Sequence, residues 1–359
     1  MLRLPSIGRV AMMVVVVALV ATACGGTEGT TGGAVGKGSL TGAGATFPGP
    51  FYQKAFADYS AQHPEVTVNY QSVGSGAGIQ QFIKKTVDFG ASDVPMKGAD
   101  ITAAGGADAL TQIPTTLGVI SIAFNISGVS ALNLDADTLA AIFLGKIKKW
   151  NDPMITALNS GATLPNKAIT VVHRSDGSGT TFHFTDYLSK VSVEWKNRVG
   201  NAKSVPWPTG VGASGNQAVA QAISSTDGAV GYVELAYVVQ TGMKQAALKN
   251  PNGKFVPASV EGATAAAGTN TSVSPSNFSI TNAACDACYP IAGFSWVMLY
   301  TSYSDKDKGT AVVNLFKWLV TDGQANGKDL QYAPLPDAVQ QLALTNLKLI
   351  KAGGSAVLT

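Results

Sequence analysis

This chain is poor in the residues that much enzyme chemistry needs. It holds three cysteines and three histidines in 359 residues, and only 13% of its residues are charged. The histidines, His63, His173 and His183, stand far from Cys285 and Cys288, so a zinc site would lack two of its four ligands nearby. No Lys/Arg block occurs. The 25 basic residues face 22 acidic ones, and without Arg3 and Arg9 the count is 23 against 22. That balance argues against a nucleic-acid binder. An anion held by so neutral a chain must be met by a local site, not by a global field. A Gly-Lys-Ser/Thr phosphate loop is also missing. The run Val10 to Ala23 is short for a membrane span, which takes roughly 20 residues.

That run follows Arg3 and Arg9 and has the length of a secretory signal, so residues 1–23 read as a signal peptide. It ends Ala21-Thr22-Ala23-Cys24, small residues before a single cysteine, as in a bacterial lipobox. Ala21 stands where a large aliphatic residue is usual. Acylation of Cys24, with palmitate among the acyl groups, is the expectation; the alternative is a plain signal peptide with an incidental cysteine. Residues 24–37 are rich in Gly and Thr, have little to bury and read as a flexible tether of roughly 20 Å. The expected location is extracytoplasmic, anchored to the cell membrane. No ATP is available there, which weighs against kinase and ATPase readings.

Two cysteines remain in Cys285-Asp286-Ala287-Cys288. In an oxidising compartment this spacing suits a local disulfide. A thioredoxin-like redox site would want a strand–helix–strand context, which the surrounding loop-like sequence lacks.

From Ser39 onward short apolar runs alternate with helical patterns, which argues an α/β architecture. Strands are expected at 39–43, 66–70, 87–91, 113–124, 169–173, 229–233 and 294–300. Helices are expected near 48–62, after Gly78, and at 134–144, 179–191, 235–240, 308–320 and 338–350. The stretch Lys249 to Pro275 is polar and rich in Gly and Ala, and reads as loop.

Three strand-to-helix junctions share one composition: Gly42-Ala43-Gly44-Ala45-Thr46-Phe47, Gly74-Ser75-Gly76-Ala77-Gly78 and Asp176-Gly177-Ser178-Gly179-Thr180-Thr181. A helix N-terminus leaves its first N–H groups unpaired and carries roughly half a positive charge. Glycine lets an oxyanion approach the backbone, and Ser or Thr adds a hydroxyl donor. Any one junction alone suits an ordinary N-cap. Three in one chain suit a phosphate- or sulfate-sized anion if the fold brings them together. Arg174 stands at a strand end beside the third junction, with a planar fork for two oxygens, and Asp176 is spaced to orient it. His173 beside it reads as a packed or exposed strand residue, or as a group tuning the local potential with pH.

The strings Leu40 to Pro48, Val87 to Asp93, Leu144 to Trp150, Arg174 to Thr180 and Gly228 to Glu234 resemble the substrate-binding proteins of phosphate-specific ABC transporters. The resemblance runs from about Ser39 to Asp337. It implies a two-lobed periplasmic-binding-protein fold of type II, with lobes joined by two crossover strands near Pro114 to Val119 and Tyr289 to Ala292. Lobe I would be 38–118 with 289–359, and lobe II 119–288. It implies phosphate contacts from Thr46, Phe47, Ser75, Asp93, Arg174, Ser178, Gly179 and Thr180, with Asp176 pairing to Arg174. It implies closure of the lobes on inorganic phosphate, a monomer, delivery to membrane permease subunits, no cofactor or metal, and no catalysis. Asp93 is the informative member. Phosphate near neutral pH keeps a proton for a carboxylate to accept, whereas sulfate has none. The plainer reading of Asp93 is a turn or N-cap residue before Pro95.

Two rivals stay open on sequence. One is an extracytoplasmic phosphatase using Ser178 or Asp93, which lacks a visible base or metal cluster. The other is a binder of a different oxyanion or a phosphorylated metabolite. Gly210-Val211-Gly212-Ala213-Ser214-Gly215 matches a dinucleotide fingerprint, but it follows no evident strand and has no acidic residue at the expected distance.

Overall fold

The computed structural model describes residues 35–358. The signal segment 1–23, Cys24 and most of the tether lie outside the described residues.

The chain alternates strands and helices from its first element: β1 (Gly38–Gly44), α1 (Gly49–Gln62), β2 (Val66–Ser72), α2 (Ser75–Ile83) and β3 (Phe89–Ser92). Then comes one long strand, β4 (Leu110–Asn125). Only its last residue is not buried, and its run of Ile, Leu, Val and Phe is the sequence of a strand covered on both faces. The next part carries β5 (Thr170–Arg174), α3 (Gly179–Val191), β6 (Val211–Ala213), α4 (Gly215–Ser225), β7 (Ala229–Glu234) and α5 (Val260–Gly268). The chain then returns as β8 (Ala292–Tyr300).

These strands form one sheet in the order β2-β1-β3-β8-β4-β7-β5-β6, with the short strand Lys244–Gln245 added on β4. The fold is the two-lobed periplasmic-binding-protein type. Its sheet shows how the halves are joined. β4 pairs with β8 from Leu110 to Val119, then with β7 from Ile120 to Asn125. The second passage runs beside it, with Ile120 N–H donating to the Ile291 carbonyl at 2.8 Å. Tyr289 Oη donates to the Ile120 carbonyl at 3.0 Å. Two adjacent extended segments therefore connect the halves.

Pro114 sits inside β4, where a proline has no N–H for the ladder. The register shifts there. Trp296 faces Pro114 while Ser295 faces Thr116, a bulge between Ser295 and Trp296. On the other side of β8 the pairing of Trp296 with Ser92 of β3 is unshifted, and it sets Ser295 beside Asp93.

The segment expected to be loop, 249–275, instead contains α5, capped by the Ser259 hydroxyl accepting from Gly262 N–H at 3.0 Å. Its buried face is Gly262, Ala263, Ala266 and Ala267. Their spacing is helical, but such small side chains give little hydrophobic contrast, so composition concealed the helix. Gly262 lies against Tyr289, which places α5 on the second connecting segment. The Gly210 to Gly215 string, read as following no strand, contains β6 itself and opens α4. Three residues of β6 are too few for a period-two signal.

Candidate functional site

The site gathers where parallel strands end. β1 runs out before Thr46 and Phe47, β3 before Asp93, and β5 at Arg174, while Ser75 begins α2. Crevices beyond the carboxyl ends of such strands are the usual ligand positions in α/β sheets. Here the ends come from both halves and meet. Thr46, Phe47, Ser75, Asp93, Arg174, Ser178 and Thr180 are all buried, Arg174 to 2% exposure. A buried arginine is costly unless paired. It is paired: Nε donates to Asp176 Oδ1 at 2.7 Å and Nη2 to Asp176 Oδ2 at 2.5 Å.

The contacts between halves describe a closed arrangement. Gly76 N–H at the start of α2 donates to the Gly177 carbonyl at 2.8 Å. A side-chain carbon on Gly76 would lie 3.2 Å from the Gly177 Cα, tighter than ordinary packing. Ser75 Oγ accepts from Gly179 N–H at 3.1 Å and from Asp93 N–H at 3.3 Å. Any side chain at Gly179 would collide with the Asp93 carboxyl, so glycine is required for the α3 N-terminus and Asp93 to touch. Tyr237 Oη donates to the Thr46 carbonyl at 2.6 Å.

The three junctions are not equivalent. Ser178 caps α3, its Oγ accepting from Thr181 N–H at 3.1 Å. α1 and α2 have no side-chain cap. The Phe47 ring lies 6.5 Å from the His183 ring and 6.4 Å from the Tyr332 ring, measured between centroids. A fourth helix start, α4, spends its first N–H groups inside the protein: Gly215 donates to Asp176 Oδ1 at 3.0 Å and Asn216 to Thr46 Oγ1 at 3.2 Å. A groove of about 480 Å³ between the halves reaches this region at Thr46 and Gly215, with Lys54, Gln217 and Tyr237 also lining it.

A family model described as the PBP superfamily domain matches residues 29–322. The phosphate-binding protein PstS of Pasteurella multocida is 47% identical over 307 residues, covering 84% of this chain and 88% of that one. The phosphate-binding protein PstS of Xylella fastidiosa is 43% identical over 301 residues, covering 83% and 81%. The chain belongs to the PstS family of phosphate-binding proteins. A solved human phosphate-binding apolipoprotein shares the fold, with a TM-score of 0.70 at 20% identity over 89% of this chain and 100% of that one.

Within this family member two aspartates in contact with the same region titrate in opposite directions. Burial pushes the Asp93 carboxyl up to about 7, although hydrogen bonds from Ser295 and Ser75 and the Arg174 charge oppose the rise. Ser75 Oγ lies 3.4 Å from Asp93 Oδ2, and Ser295 Oγ donates to Oδ1. Burial would also raise Asp176, but the Arg174 hydrogen bonds and charge, with the Gly215 N–H, hold it below the usual carboxylate range. His173 stacks on Trp207 at 4.7 Å and 13°. Burial lowers its pKa, and its Nδ1 is 3.0 Å from the Arg174 carbonyl oxygen. Cys285 and Cys288 are joined in a disulfide, and Asn250 Nδ2 donates to the carbonyls of Cys285, Asp286 and Cys288.

Three residues escaped the sequence reading. Ser295 lies inside an apolar run; the available signal was a lone hydroxyl among residues buried on both faces. Asn216 directly follows the rejected Gly-rich string. Glu234 ends β7 fully buried, its Oε2 accepting from Ala236 N–H at 2.8 Å and lying 3.0 Å from Tyr332 Oη. Burial raises its pKa well above normal, and Tyr332 donates to the Phe47 carbonyl at 2.6 Å.

Proposed function

We propose that this chain binds inorganic phosphate outside the cytosol and hands it to the membrane subunits of a phosphate ABC importer. The observation that carries the reading is the convergence of Arg174, two helix N-termini and a buried Asp93 on one enclosed place. Arg174, Thr46, Ser178, Thr180 and the main-chain N–H of Phe47 are donors for an oxyanion, and the Gly179 N–H and Ser75 hydroxyl, which here meet Ser75 and Asp93, turn to the ligand when it enters. Asp93 is the single acceptor among them. It discriminates: a proton shared between Asp93 and the ligand lets phosphate bind, while an ionised Asp93 faces sulfate as an unpaired like charge.

The boundaries that fit this working are 38–118 with 289–359 as one lobe and 119–288 as the other, which puts Thr46, Ser75 and Asp93 opposite Arg174 to Thr180. Closure on the ligand then brings half the donors from each side, and the closed form is what the permease reads. In this reading residues 1–23 direct export, Cys24 carries the acyl anchor, residues 24–37 are the tether, and the protein acts as a monomer without nucleic acid or cofactor. The phosphatase alternative is weakened at Ser178, whose oxygen caps α3, and at His183, a buried imidazole one turn on with no side-chain hydrogen-bond partner.

Calorimetric titration of the purified protein with phosphate, arsenate and sulfate tests the reading. Tight phosphate binding, competition by arsenate and rejection of sulfate are expected. Turnover of a chromogenic phosphoester, or sulfate bound as tightly as phosphate at neutral pH, would overturn it.

A further inference from the structure

The side chain of Asn216 touches both halves of the protein, and it is fully buried. Its amide orientation is fixed by the main chain. Glu234 N–H, which can only donate, lies 3.1 Å from Asn216 Oδ1. Nδ2 is therefore the donor end, and its protons go to Thr46 Oγ1 at 2.8 Å and Thr180 Oγ1 at 3.1 Å. Thr46 Oγ1 receives a second hydrogen bond from Asn216 N–H at 3.2 Å. Thr180 Oγ1 receives a second from Arg174 Nη1 at 3.3 Å.

A hydroxyl has two acceptor positions and one proton. Both acceptor positions are filled on each threonine, so neither can accept from a ligand. Among the described residues neither hydroxyl donates to a protein oxygen. Each is left with one proton and no partner for it, in a place where a buried orphan donor is costly.

We propose that Asn216 is a positioning residue that sets the proton direction of Thr46 and Thr180, so that both hydroxyls present donors to the bound oxyanion. The inference rests on the phosphate reading above. Thr46 comes from the first half and Thr180 from the second, so the setting is completed only when the halves close. Donors oriented beforehand need no reorganisation when the anion arrives. The same setting confines the ligand's proton. Thr46 and Thr180 can give protons but take none, and Asp93 is left as the acceptor for the ligand's proton.

The test is calorimetry of the full chain with inorganic phosphate. If the wild-type protein binds none, the phosphate reading fails; if it binds and the variants below behave otherwise than stated, this inference alone fails. Asn216→Ala should weaken binding about 10- to 100-fold, the worth of charge-assisted hydrogen bonds. Asn216→Asp keeps the shape but puts an acceptor where the donor was. It should bind at least about tenfold more weakly than Asn216→Ala, because both hydroxyls then turn toward the carboxylate. In a Thr180→Val background the cost of Asn216→Ala should fall by about threefold or more, because the coupled partner is gone. A general structural role would leave that cost unchanged, and an unchanged cost, or wild-type affinity in Asn216→Ala, overturns the proposal. Should thermal melting show Asn216→Ala unfolded, Asn216→Asp measured in both backgrounds reads the same coupling.

Discussion

Asp93 and Asp176 invite comparison, since both belong to one site and both feel Arg174. Asp176, in the second half, meets the guanidinium through two hydrogen bonds and receives the Gly215 N–H, so its charge is stabilised. Asp93, in the first half, feels Arg174 only through space, meets two hydroxyls and is almost fully buried. One carboxyl is held as an anion and the other is poised near neutrality. Environments that push two like groups apart suit them to different work, and in the proposed function Asp176 fixes a donor and Asp93 manages a proton.

The largest disruption of this contrast comes from Arg174 itself. Arg174→Met strips Asp176 of its partner and the site of its cation, and phosphate affinity should fall by about 1,000-fold or more, read by calorimetry. Asp176→Asn keeps the cation but frees its fork, and a loss of about 10- to 100-fold is expected in the same titration. Asp93→Asn should leave phosphate binding within about tenfold while sulfate binding rises by about tenfold or more, read in parallel titrations. Wild-type sulfate affinity should itself strengthen as the pH falls through about 7, because a protonated Asp93 can donate to sulfate, and Asp93→Asn should flatten that dependence.

Stability sharpens the same contrast. Asp93 titrates at about 7 in the folded protein, above its unfolded value, so its contribution is full at low pH and disappears as pH rises through 7. Asp176 titrates below its unfolded value, so its contribution is present above that value and is lost as pH falls toward the depressed one. Melting the ligand-free protein should show Asp93→Asn gaining on the wild type from pH 5 to pH 8 by a few kcal/mol, since a tenfold difference in proton affinity between the folded and unfolded chain is worth about 1.4 kcal/mol. The smallest effect is expected at Lys203, whose Nζ is 3.7 Å from Asp100 Oδ2 across the halves. Lys203→Ala should change phosphate affinity by about threefold or less.

Much of this arrangement was legible in residues with strong local signals. The helix 179–191 has a capping serine, an apolar face and a strand before it, and its bounds were readable from those alone. The convergence of distant junctions was not, because Thr46 and Asn216 lie 170 residues apart and no local pattern encodes their contact. α5 was hidden by small side chains, and β6 by its length. Ser295 was hidden for a different reason. Its task comes from strand register: β8 pairs with β3 at Trp296 and Ser92, which sets Ser295 beside Asp93.

That register has a bearing on how ligand choice could drift or be redesigned. The β3–β8 ladder, in which Trp296 faces Ser92, decides that Ser295 stands behind Asp93. A slip of β8 by one residue against β3 would carry Ser295 to the opposite face of the sheet. Anion preference would then change through the spacing of two strands, with every group around the anion chemically intact.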